Sequence, residues 1–251
     1  MKIEYTEEDV IRANRDIYDQ LDPKEYEKRT DGIFHPKRQK QFKSILLSLK
    51  PERPDGALLD IGCGTGNICR LAKGIFPDRY GIDISHVQLK ELKKKDTEIL
   101  LCQTEAGQLP FKGNLMDCCT CCSVLHHLHS HKELFQEVYR VLRLGGYLYT
   151  DHDPNYYFHR IFRLYLVLRK VNVHSPGAIA EYHQFRGGLN PDRLAELLYR
   201  VGFRDVKITY RVSENPELTF FAKAVLRIFN LITKVLPIKT FYSHFFIIAQ
   251  K

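Results

Sequence analysis

Residues 58–67 read Leu58-Leu59-Asp60-Ile61-Gly62-Cys63-Gly64-Thr65-Gly66-Asn67. A short apolar run enters three glycines, each separated by one residue. Glycine permits the sharp backbone turn and the close approach of a ligand to the main chain that such a run needs. A buried strand that ends this way and passes into a helix makes the crevice at the carboxyl end of a doubly wound sheet. The spacing weighs against two common ligand motifs. A G-x-G-x-x-G dinucleotide fingerprint requires glycine at position 67, where Asn67 stands, and a P-loop requires a Gly-Lys-Ser/Thr run that is absent. The rhythm G-x-G-x-G makes pyrophosphate binding the weaker reading.

Outward from this turn, strands and helices alternate. The pattern predicts strands at 57–61, 80–84, 99–102, 117–124 and 147–151, with helices at 67–73, 86–95 and 132–142 between them. Alternation at this spacing predicts an α/β fold, a parallel sheet covered on both faces by helices. After Asp153 the rhythm breaks. Residues 154–188 and 213–240 read as helical inserts after the fifth and sixth strands. A helix at 189–202, a sixth strand at 205–212 and a last strand at 242–250 complete the chain. Residues 1–50 read as an N-terminal helical cap with modest core content, and residues 1–251 as a single domain.

Composition is that of an ordinary globular protein: 44% hydrophobic and 27% charged residues, with a formal net charge of +8. That excludes a disordered or collagen-like chain. It permits an anionic partner without choosing among nucleic acid, membrane surface and acidic substrate. The beginning of the chain shows no secretory pattern and no stretch reads as a membrane span, so a cytoplasmic location is expected. Seven cysteines, four of them at Cys118, Cys119, Cys121 and Cys122, do not read as an extracellular disulfide framework. The C-x-x-C spacings lie in a predicted central strand whose side chains alternate, so buried small hydrophobes are the better reading and no metal is expected.

Asp83 closes the second predicted strand, 21 residues after Gly62. A carboxylate there accepts hydrogen bonds from ribose hydroxyls, and Ser85 is the better candidate for capping the next helix. Further along come Thr104-Glu105-Ala106-Gly107-Gln108-Leu109-Pro110-Phe111, then Met116-Asp117 opening the fourth strand, Leu125-His126-His127-Leu128, and Arg140-Val141-Leu142-Arg143-Leu144-Gly145-Gly146. In order and spacing, over residues 57–153, these motifs resemble those of class I S-adenosylmethionine-dependent methyltransferases. The pattern is nearest to the small-molecule enzymes of quinone biosynthesis. Glu105 stands where the family has Asp, and Leu144 where it has Pro.

The resemblance implies a Rossmann-like seven-stranded sheet, mostly parallel with an antiparallel last strand. It implies S-adenosylmethionine as cofactor, held by Asp60, Gly62, Cys63, Gly64, Gly66, Asp83, Ile84, Glu105, Ala106 and Ser123. In this assignment Asp83 takes the ribose, Glu105 with the Ala106 amide takes the adenine edge, and Ser123 lies at the methionine end. The cofactor carries no phosphate, which agrees with the missing phosphate clamp. Transfer of its methyl group is a displacement in which alignment and desolvation supply much of the rate. A general base is needed only when the acceptor must lose a proton of unfavourable pKa.

Candidate bases follow the fourth and fifth strands: His127, beside His126, and His152, between Asp151 and Asp153. His183 lies in a loop expected to face the same cleft. Both inserts leave carboxyl ends of strands and form an expected acceptor-side lid. Tyr156–Val171 is aromatic and basic, and Lys223, Arg227, Asn230 and Lys234 form one stripe of the second insert. The expected partner is a small acceptor, hydrophobic or anionic, with weak contact to a membrane surface as a further expectation. A nucleic-acid methyltransferase is the alternative, disfavoured because no [DN]-P-P-[YFW] tetrapeptide follows the fourth strand. A non-catalytic cofactor-binding protein is another. The sequence does not decide the oligomeric state.

Overall fold

The computed structural model describes residues 5–29, 31–160, 187–211, 239 and 242–251. His183, the Lys223–Lys234 stripe and most of both expected inserts lie outside the described residues. Four helices lead the chain: α1 (Glu7–Gln20), α2 (Pro23–Arg29), α3 (Asp31–Phe34) and α4 (Pro36–Ser48). Thr6 opens α1 with a capping box, its hydroxyl accepting from the Asp9 amide while the Asp9 carboxylate accepts from the Thr6 amide.

There follow β1 (Ala57–Ile61), α5 (Asn67–Leu71), β2 (Asp78–Asp83), α6 (His86–Lys95), β3 (Leu100–Gln103), β4 (Met116–Cys122), α7 (Lys132–Val141), β5 (Leu142–Pro154), α8 (Pro191–Val201), β6 (Arg204–Arg211) and β7 (His244–Gln250). Ser85 caps α6, accepting from the Gln88 amide, and Asn190 caps α8 ahead of Pro191.

The seven strands form one sheet in the order β3-β2-β1-β4-β5-β7-β6. The pairs from β3 to β5 are parallel, and β7 runs antiparallel between β5 and β6. This is the Rossmann-like sheet expected of the sequence. Several boundaries differ from the sequence reading, among them those of the fifth and fourth strands. The fifth strand begins at Leu142, directly after α7, instead of at Tyr147. The fourth stops at Cys122 because Ser123 turns into the left-handed region at φ 60°.

Strand parity divides the core. Leu59, Cys119, Cys121 and Phe245 pack with α7 and α8 residues such as Phe135, Val138 and Leu198. Leu58, Cys118, Tyr149 and Phe246 pack on the other face with Phe42 and Leu46 of α4. The four clustered cysteines are therefore not gathered at one point, and Cys118, Cys119 and Cys121 are buried thiols.

Gly66, the N-cap of α5, has φ +84°, and a Cβ there would stand 2.1 Å from Leu92 Cδ1. Gly74 has nearly the same strain, φ +78°, but open space around it. Gly66→Ala is expected to destabilise by about 2–4 kcal/mol, strain plus overpacking, and Gly74→Ala by about 1 kcal/mol, strain alone. Urea unfolding of both variants measures the difference. Equal losses would show that contact with Leu92 does not hold the turn.

Candidate functional site

The turn after β1 is built for a ligand at the carboxyl edge of the sheet. The Cys63 amide donates to the Ile82 carbonyl at 2.9 Å, which ties the turn to β2. Gly62 has φ +66° and faces Val124, where a Cβ would come within 2.4 Å of Cγ2. The backbone amide of Gly64 donates to Asp83 Oδ2 at 2.8 Å, and that of Ser85 donates to Asp83 Oδ1, also at 2.8 Å. Each carboxylate oxygen keeps a second lone pair for an incoming hydroxyl. Burial raises the Asp83 pKa, and the backbone amides of Ser85, Gly64 and Ile84 oppose that rise.

A cavity of about 680 Å³ opens over this turn, a volume suited to a cofactor together with part of a second molecule. Gly62, Gly64, Asp83, Ile84, Glu105, Ala106 and Ser123 line it, so seven of the residues expected to hold the cofactor meet there. His127 lines it as well. Asp60, Cys63 and Gly66 are not among the lining residues. Asp60 is buried beside Thr120, whose hydroxyl donates to it at 2.7 Å, and burial lifts its carboxyl pKa to about 7. Cys63 and Gly66 shape the turn through their backbones, with the Gly66 amide donating to the Cys63 carbonyl at 2.8 Å.

Part of the remaining wall comes from α1. Asn14, Arg15 and Tyr18 face the cavity, and Tyr26 of α2 lies against the glycine turn, 3.7 Å from where a Gly64 Cβ would be. The cap is fastened to α6: the Ser85 hydroxyl donates to Asp19 at 2.7 Å, and the Gln88 amide group donates to the carbonyls of Tyr18 and Leu21. Arg15 reaches to within 3.8 Å of Glu105 across the cleft. The Tyr18 hydroxyl meets His127 Nε2 at 3.1 Å, and the two rings stand edge to face. Sequence reasoning missed Tyr18 as a site residue. A lone tyrosine in a polar helical segment carries no spacing signal.

The other candidate base stands apart. His152 is stacked on His244 at 4.6 Å and is not among the cavity-lining residues. Burial pushes its pKa down to about 3, and the Arg38 charge pushes in the same direction. His126 is likewise buried and neutral, its Nδ1 2.8 Å from Asp153 Oδ1.

A family model described as "Methyltransferase domain" matches residues 59–150, the span from the glycine turn through the fifth strand. Residues 59–150 thus carry a methyltransferase domain, of the kind that uses S-adenosylmethionine. The cofactor of such domains is S-adenosylmethionine, and this is the cofactor of the chain. A tRNA (carboxymethyluridine(34)-5-O)-methyltransferase of Arabidopsis thaliana is 34% identical over 99 residues, 38% of this chain and 24% of that protein. A demethylmenaquinone methyltransferase of Lactobacillus johnsonii is 29% identical over 187 residues, 66% of this chain and 75% of that protein. Among solved structures, a Thermotoga maritima S-adenosylmethionine-dependent methyltransferase, described as a possible histamine N-methyltransferase, superposes with a TM-score of 0.60. It is 17% identical, with 94% of this chain and 99% of that one covered. At that identity the likeness is one of fold.

Asp83→Ala removes two charge-assisted acceptors from the cavity wall. The variant is expected to bind S-adenosylhomocysteine more weakly by about 1–3 kcal/mol in calorimetric titration. Wild-type affinity would take Asp83 out of the cofactor site.

Proposed function

We propose that this methyltransferase transfers the methyl group of S-adenosylmethionine to a small, partly hydrophobic acceptor whose attacking atom carries a proton. The observation that carries the reading is the Tyr18–His127 pair, 3.1 Å apart in the wall of the cofactor cavity. When bound, the cofactor supplies a methyl group already activated by a sulfonium. The chain's own residues have the remaining tasks: positioning the acceptor, excluding water and disposing of its proton.

In this reading Asp83 fixes the ribose, and Glu105 with the Ala106 amide fixes the adenine edge. Ser123 stands at the methionine end, its own amide committed to the Asp151 carbonyl at 2.7 Å. His127 is the base. With Nε2 as acceptor, the Tyr18 hydroxyl donates to it and turns its oxygen lone pairs toward the acceptor. The proton leaves the acceptor for the Tyr18 oxygen as the Tyr18 proton passes to His127, so the tyrosine never accumulates charge. The Asn14 side-chain amide donates to the His127 carbonyl at 3.4 Å and to the Val10 carbonyl at 2.8 Å, and so holds α1 over the pair.

The demethylmenaquinone enzyme among the relatives supports a small hydrophobic acceptor, since it aligns over the greater part of both chains. The tRNA enzyme aligns over only 99 residues, a quarter of its own length. His152 is left out of the chemistry because it is stacked on His244 outside the cavity.

A labelled-methyl assay on cell extract, separated into lipid, small-molecule, RNA and protein fractions, is expected to place the label in the lipid or small-molecule fraction. Label in RNA would favour the nucleic-acid alternative, and cofactor binding without label in any fraction the non-catalytic one. Tyr18→Phe and His127→Gln are each expected to lower methyl transfer by about 10²–10⁴. Their S-adenosylhomocysteine affinity should stay within about twofold, because neither is asked to hold the cofactor. Undiminished turnover in both variants would remove the base.

A further inference from the structure

One strand over from the cavity wall, two arginines converge on a single carboxylate. Arg38 of α4 donates through Nη2 to Asp151 Oδ1 at 2.5 Å and through Nη1 to Gln41 Oε1 at 2.9 Å. Arg211, the last residue of β6, approaches from the other side, with Nη1 3.4 Å from both Asp151 Oδ2 and Gln41 Oε1. Both guanidinium groups lie over aromatic rings, Arg38 over Phe42 at 4.4 Å and Arg211 over Phe246 at 4.1 Å. Stacking of this kind holds the planar fork in one orientation.

The carboxylate is already occupied. Asp151 Oδ1 takes Arg38 and the His152 amide, and Oδ2 takes the Tyr149 hydroxyl beside Arg211. Four donors fill the four lone-pair positions of a carboxylate. The Arg211 contacts are also long for hydrogen bonds, whose usual range ends near 3.2 Å. Among the described residues no other acidic side chain forms an ion pair with either arginine. Two positive charges thus face one negative charge in a largely buried setting: Asp151 is 1% exposed, Arg38 13% and Arg211 22%. His152 and His244, stacked beside them, are kept neutral by burial and by the Arg38 charge, so they neither cancel the excess nor add to it.

The position gives this excess charge a use. Asp151 pairs in register with Cys122, and its carbonyl accepts from the Ser123 amide; Cys122 and Ser123 both line the cofactor cavity. Neighbouring strands are about 4.8 Å apart. Neither arginine lines the cavity itself; their cluster adjoins its wall one strand over, through Asp151 beside Cys122.

We propose that Arg38 and Arg211 form an oxyanion subsite that anchors a carboxylate or phosphate group of the methyl acceptor. The proposal rests on the methyl-transfer reading above and narrows its acceptor to one with an anionic tail. Arg211, whose hydrogen bonds to Asp151 and Gln41 are long, turns its fork to the oxyanion. Arg38 stays on Asp151 and holds the positive field in place. Two parallel N–H···O bonds from one guanidinium suit the planar oxygens of either group.

Calorimetric titration of the protein saturated with S-adenosylhomocysteine tests this, using inorganic phosphate in one arm and acetate in the other. At least one anion is expected to bind, and the arm that responds names the chemistry. Arg211→Gln should weaken that binding about tenfold or more, and Arg211→Lys by less, since the charge remains while the fork is lost. In both variants the affinity for S-adenosylhomocysteine and the urea midpoint should be unchanged, because Arg38 still satisfies Asp151. Absence of binding by the wild-type protein in both arms would overturn the subsite, as would undiminished binding by Arg211→Gln. Failure of S-adenosylhomocysteine itself to bind would sink the methyl-transfer reading instead, and the same anion titration on the unliganded protein would still decide the subsite.

Discussion

The hydrogen bond from the Gly64 amide to Asp83 joins the two halves of the cofactor crevice. It links the turn leaving β1 to the tip of β2, segments that are adjacent in the sheet but separated by a helix in the chain. The bond requires Gly64 to keep its left-handed conformation, φ +49°, and Asp83 to keep a charge that burial disfavours. Neither condition holds alone. The backbone amides of Gly64 and Ser85 stabilise the carboxylate, and the carboxylate holds the turn open for a ligand. The cavity, the N-terminal cap above it and the pairing of Tyr18 with His127 are all arranged around this junction.

Much of this was legible in the residues because it is local. The glycine rhythm, the apolar run before it and the carboxylate at the end of the next strand are short-range patterns, and parity within a strand places their side chains. Boundaries were less legible. By sequence, Leu142–Gly146 reads as the end of a helix and the turn after it, because Gly145 and Gly146 look like punctuation. In the sheet Leu142 already pairs with Met116, and the strand carries on through a register shift.

The contributions of distant segments left no pattern to read. Tyr18 meets His127 across 109 residues, and Arg38 meets Asp151 across 113. A tyrosine in a polar helix and an arginine among lysines give no signal until the fold brings their partners to them. His152 shows the converse. Its place at the end of a strand on the cofactor edge suggested chemistry, yet its ring is stacked on His244, a residue 92 positions later whose approach depends on the antiparallel insertion of β7.

His152 also has a backbone role. It adopts φ +65° where β5 pairs Asp151 with Phe246 but Asp153 with Phe245, one residue more on β5 than on β7. An extra residue of this kind shifts the alternation of a strand by one step. Without it, Asp151 and Asp153 would extend from the same side of the sheet. With it, one acid serves the guanidinium groups beside α4 while the next meets His126 in front of α7. A single supernumerary residue thus lets one strand end address two separate compartments, and redesign of either compartment must preserve that offset before any side chain is exchanged.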